Sequence, residues 1–227
     1  MKAAILYPLG ALLTVNLATA QAAEVRPLTE SCEIALALSG APDHLQQEAG
    51  VFVLKQAGFE RVKESQNGFN CIVERNHSES IIPICFGPAS TGANLAAILD
   101  GGKQIRNGAS FADMLQNRQE AVAAGAYARP GPGISYMVSD FTYIFNPSLN
   151  AMLDVSPHIM FNAPGLSAAE IGANDSAMLE NRGLPMINDP GSHGFMVSFI
   201  EKPSDTDAVE QACQGQLPDP AGMRKFP

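Results

Sequence analysis

The start of this chain constrains everything after it. A single Lys2 is followed by an apolar run from Ala3 to Leu17 and then by small residues. Ala18-Thr19-Ala20 and Ala20-Gln21-Ala22 both offer an Ala-x-Ala cleavage pattern. This is the layout of a secretory signal peptide over residues 1–23, cleaved at Ala20, Ala22 or Ala23. A membrane anchor would need about 20 apolar residues. Tyr7, Pro8, Gly10 and Asn16 interrupt a shorter run here, so the mature chain is read as having no membrane span. No cysteine follows the cleavage positions to carry a lipid. The expected location is periplasmic or secreted.

Export decides how the cysteines are read. Cys32, Cys71, Cys85 and Cys213 are an even set in an oxidising compartment, which predicts two disulfides. Of the three possible connectivities we favour Cys71–Cys85, which closes a short loop, with Cys32–Cys213, which ties the start of the domain to its end. On that reading the polar, Pro-rich stretch 214–227 is a flexible C-terminal tail, and residues 24–213 form one domain.

Charge and aromatic content narrow the partners. Without Lys2 the chain keeps 13 basic and 23 acidic residues, a net charge of −10, and it has no basic run. Nucleic acid and anionic lipid surfaces would be repelled. There is no Trp and there are only four Tyr, which counts against stacking on sugars. The remaining partners are a small molecule or an envelope protein.

Local patterns give the elements. Ser31–Ser39 is predicted helical with Thr29 or Ser31 as cap and Gly40 as stop, although Ile34, Leu36 and Leu38 also fit a strand. Pro42 opens a short helix to Ala49. Val51–Leu54 reads as a strand. Asn67-Gly68 reads as a hairpin turn between Phe59–Val62 and Phe69–Glu74, with Phe69, Cys71 and Val73 on one face. A helix over Asn94–Asp100 is expected to end at Gly101-Gly102, and a second begins at Ser110, which forms a capping box with Asp113. Strands are predicted over Ile134–Val138, Phe141–Phe145, Pro157–Asn162 and Gly194–Ile200, with a loop-and-helix segment over 163–188. Strands and helices cluster without strict alternation, which favours an α+β single domain with a mainly antiparallel sheet and flanking helices.

Several chemistries are missing. There is no G-x-S-x-G elbow, no Ser-x-x-Lys and no His-Glu-x-x-His. Gly87 to Gly92 has P-loop glycine spacing, but Ala93 and Asn94 stand where Lys and Ser/Thr are needed, so it reads as a turn into a helix. Two histidines begin predicted strands: His158 after Ser156-Pro157, and His193 after Asp189-Pro-Gly-Ser192. If the strands are neighbours starting at one edge, the imidazoles converge. With Met160 or a carboxylate (Asp154, Asp189 or Glu74) they would then hold zinc or copper. Met137, Met152, Met160, Met186 and Met196 lie in or near strands but lack Met-x-x-Met spacing, and core filling accounts for them. Cys71 is a candidate hydrolase nucleophile only if it is free. Asp205 and Asp207 read as solvated, and Glu74-Arg75 as a surface pair.

The segments NGFNCIVER (Asn67–Arg75), GISYMVS (Gly133–Ser139), PHIMFNAP (Pro157–Pro164) and GSHGFMV (Gly191–Val197) resemble an uncharacterised family of exported bacterial proteins, over roughly Cys32 to Ile200. The resemblance implies export and a single domain. It brings no activity, cofactor or catalytic residue. Three expectations follow, in order: a non-catalytic binding or structural module of the envelope; a metal protein or metal-dependent enzyme built on His158 and His193; and a Cys71-based hydrolase.

Overall fold

The computed structural model describes residues 23–226. The predicted leader, with cleavage positions Ala20 and Ala22, lies outside them. In chain order the elements are α1 (Glu30–Ser39), α2 (Asp43–Gln46), β1 (Gly50–Lys55), β2 (Gly58–Lys63), β3 (Asn70–Glu74) and β4 (Ile82–Phe86). Then come α3 (Ala96–Arg106), α4 (Phe111–Ala123), β5 (Ile134–Met137), β6 (Tyr143–Asn146), β7 (Ala151–Val155) and β8 (His158–Asn162). The chain closes with α5 (Asp175–Glu180), β9 (Met186–Ile187), β10 (Phe195–Phe199), α6 (Asp207–Ala212) and β11 (Arg224–Phe226).

An eight-stranded sheet runs β2-β1-β3-β4-β5-β8-β10-β9, and a three-stranded sheet runs β11-β7-β6. Every pairing in the large sheet is antiparallel except β1 with β3. This is the α+β architecture with a mainly antiparallel sheet that the clustering of elements predicts.

Strand alternation divides the large sheet into two apolar faces. On one face Val51, Val53, Cys71, Val73 and Cys85 pack beneath α1, joined by Leu36 and Val209. On the other, Ile72, Ile82, Ile84, Phe86, Met137, Met160 and Val197 form a second cluster with Leu95 and Ile98 of the α3 region. Burial of one such Leu or Ile contributes about 1.5–3 kcal/mol, and both faces are needed to hold a sheet this wide. α1 takes its helical reading: the Thr29 hydroxyl accepts the Cys32 N–H at 3.4 Å. Its end sits against β4 because residue 40 is glycine. A Cβ there would lie 2.9 Å from Ile84 N and Pro83 C.

Both disulfides form as Cys32–Cys213 and Cys71–Cys85. The first links α1 to the end of α6. The second joins directly opposed residues of β3 and β4. Beside them on the α1 side lie two buried ionisable groups. The Glu33 carboxylate accepts the Leu54 N–H at 2.9 Å, and Arg75 donates to the Ser80 carbonyl at 2.7 Å. Burial raises the Glu33 pKa against the opposing pull of Arg75, and burial pushes Arg75 down to about 10.

Four local expectations are corrected. Asn67-Gly68 does not close a hairpin, because β1 takes β2 on one edge in antiparallel fashion and β3 on the other in parallel. α3 does not end at Gly101-Gly102 but runs on to Arg106; a Cβ at position 102 would lie 2.4 Å from the Phe59 ring, so the glycine marks a close helix–strand approach. The stretch assigned to a flexible tail contributes β11, which pairs in parallel with β7 from Arg224 to Phe226. Glu74 pairs not with Arg75 but with Arg118 of α4, at 2.6 Å.

Candidate functional site

The second face of the large sheet is not fully covered by helices. Between it, α4 with the start of α3, and the small sheet lies a cleft of about 540 Å³. Its floor is formed by alternate residues of the central strands: Ile84, Met137, Met160 and Val197. Their sequence neighbours Cys85 and Tyr136 face the opposite side and join the α1 cluster. Leu115 and Val122 of α4 and Ile144 and Leu153 of the small sheet provide the walls.

One end is built around His158. The residue is only 5 % exposed, and its ring packs against Phe199 at 5.5 Å between centroids. Phe199 in turn meets Phe226 of β11 edge-on at 6.3 Å. His158 Nδ1 lies 2.8 Å from the Ser156 carbonyl. A carbonyl only accepts, so Nδ1 carries the proton and Nε2 presents a lone pair. Burial holds the imidazole pKa below its ordinary value, outweighing the backbone hydrogen bond that raises it. The Ser156 N–H and hydroxyl both donate to the Phe226 carbonyl, each at 3.2 Å. The supposed tail therefore holds this histidine in place.

The other end is built around His193 and Asn94. His193 follows a tight turn in which the Asp189 carboxylate accepts the Gly191 N–H at 2.7 Å. It is 9 % exposed. Its Nδ1 lies 3.1 Å from the Ser192 hydroxyl, and its Nε2 is buried without a partner among the described residues. Asn94 lies in a π-helical turn, Thr91–Leu95, that leads into α3; such turns are frequent at functional sites. Its amide N–H donates to the His193 carbonyl at 3.4 Å. The amide oxygen is thereby turned the other way, and it too is buried without a partner. Buried polar atoms are normally satisfied, so these orphans on two adjoining cleft residues, with Arg118 Nε a third along the α4 wall, call for a partner.

The shared two-histidine metal site is not formed. β8 and β10 are neighbours, as required, but they run antiparallel with Phe199 opposite His158. His193 lies in the turn before β10, beyond Phe195 at the end opposite Phe199, so the length of the strand, about 13 Å, separates it from His158. The carboxylates named with them are engaged elsewhere: Asp154 with Lys225 at 3.4 Å, Glu74 with Arg118, and Asp189 in its own turn. Among the described residues no cluster of three or more His, Cys, Asp or Glu is placed to hold a metal ion, so zinc and copper have no such donor set. Met137 and Met160 are buried in the apolar cluster. Cys71 is bonded to Cys85, and no described cysteine is free; a disulfide sulfur is not a thiolate nucleophile. The Ser192–His193 contact is between sequence neighbours. His193 Nε2, where an orienting carboxylate would sit in a catalytic triad, has no partner.

Asn94, Arg118 and Phe226 are site residues that sequence reasoning missed. The only signal for Asn94 was its place two residues after the glycine-bounded loop of Gly87 to Gly92. Comparison with protein-family models, with curated proteins and with solved structures returns no match.

Proposed function

We propose that the protein is an exported, non-catalytic binding module whose cleft takes a small amphipathic molecule. The observation that carries this reading is the cleft itself. Its volume of about 540 Å³ is within the range of ligand sites, and an apolar lining with a few converging polar groups is their usual composition. The two disulfides support work in an oxidising compartment. Among the described residues no helix is long and apolar enough to cross a membrane.

The test is direct. Purified mature protein is titrated with a neutral naphthylamine dye that fluoresces in apolar surroundings; the lack of Trp keeps the background low. Saturable binding of one dye per chain is expected. Leu115→Lys, which sets a charge on the α4 wall without touching the buried floor, abolishes it while the far-UV circular dichroism is unchanged. Absence of saturable binding to the wild type overturns the reading.

A further inference from the structure

We infer that the cleft selects an uncharged, elongated molecule with a hydroxyl or equivalent hydrogen-bonding group at each end of an apolar body. The inference rests on the binding reading above and adds the ligand's chemical class. Three observations lead to it.

The first is the separation of the polar groups. His158 stands at one end of β8 and Asn162 at the other, and Asn162 is opposite Phe195, two residues from His193. At about 3.4 Å per residue the four steps from His158 to Asn162 set the polar ends about 13 Å apart or more. Met160 and Val197 form the apolar floor between them. A compact ligand would reach one end and leave the other unmet.

The second is the hydrogen-bonding character of each end. His158 offers a lone pair only, because its proton is held on Nδ1 by the Ser156 carbonyl. The matching ligand group must donate. At the far end the Asn94 amide oxygen accepts, and the neighbouring His193 Nε2 donates when the Ser192 hydroxyl donates to Nδ1. A hydroxyl meets both requirements there, since it donates once and accepts once or twice.

The third is charge. The charge of the cleft's Arg118 is already balanced by Glu74 on its Nη1 at 2.6 Å, which leaves its Nε as a buried donor for a neutral acceptor. The chain as a whole carries a net charge of −9. A carboxylate at the His158 end would bring lone pairs against a lone pair, in a chain whose overall charge repels anions.

A matched series tests the inference by calorimetry on the oxidised mature protein: a straight twelve-carbon diol with a hydroxyl on each terminal carbon, the mono-alcohol of the same length, and the corresponding dicarboxylate. Each terminal hydrogen bond is worth about fivefold in affinity. The diol is therefore expected to bind about fivefold more tightly than the mono-alcohol, and the dicarboxylate most weakly. Asn94→Leu and His158→Phe are each expected to reduce the diol to the mono-alcohol's affinity. The comparison of ligands on the wild type needs no variant to fold. Equal affinity of diol and mono-alcohol, or preference for the dicarboxylate, overturns the inference. If the naphthylamine dye still binds, the cleft reading stands without it. If neither dye nor alcohols bind, both fall.

Discussion

Removing the two disulfides one at a time separates chain entropy from packing. All four cysteines are buried, so replacing each pair by alanine costs about the same in lost contacts. What differs is loop length, 181 residues for Cys32–Cys213 and 14 for Cys71–Cys85. In the chain-entropy account these are worth about 5 and about 3 kcal/mol. The short loop lies inside the long one, but shortening a long loop by that much changes the logarithm little. Cys32→Ala/Cys213→Ala is thus expected to cost about 2 kcal/mol more than Cys71→Ala/Cys85→Ala. Against a typical total of about 5–15 kcal/mol, the first loss is severe. It corresponds to a fall in Tm of about 10–20 °C, against about 6–12 °C for the second. Urea unfolding at neutral pH, followed by far-UV circular dichroism, measures both. If the short-loop pair costs as much as the long-loop pair or more, the entropic reasoning is refuted and the central position of β3 and β4 governs instead.

Two further outcomes follow from the buried groups near α1. Because burial raises the Glu33 pKa above its ordinary 4.5, the folded state binds that proton more tightly, so the associated stability is present below pH 4.5 and lost as pH rises through the folded value. Glu33→Gln keeps an oxygen for the Leu54 N–H and should flatten the fall in urea midpoint between pH 4.5 and 7; an unchanged slope refutes the assignment. Gly40→Ala should destabilise by about 1–3 kcal/mol through contact with the β4 backbone, although Gly40 has ordinary right-handed helical angles at which alanine alone would add about 0.4–1 kcal/mol. A raised Tm would show that β4 gives way.

What was legible in the sequence was mostly local. The Thr29 and Ser110 caps decide α1 and the start of α4 because each acts within three residues. The disulfide pairing was legible because an even cysteine count and the spacing both constrain it. The rest depended on distant partners. Asn67-Gly68 has hairpin chemistry, but β1 offers two open edges and takes the strand on each side of that turn. β4 was hidden by Pro83, which is tolerated because β5 pairs only with Cys85 and Phe86. β11 is three residues long with two charges, and only its pairing with β7 makes it a strand. His158 and His193 both line the cleft, at its two ends. Their convergence failed on strand direction, which no residue near either one encodes.

The covalent braces all lie on the α1 side of the large sheet, with Cys32, Cys71, Cys85 and Cys213 in one cluster. Among the described residues nothing comparable crosses the opposite side, where the walls rest on side-chain contacts, the ion pairs Glu74–Arg118 and Asp154–Lys225, and short strands. Breathing motions should therefore be lopsided: amides in β6, β7 and β11 exchange with solvent long before those of β3 and β4. The molecule is clasped shut at its back and left to yield at its front, so the cleft side can open while the braced side stays folded.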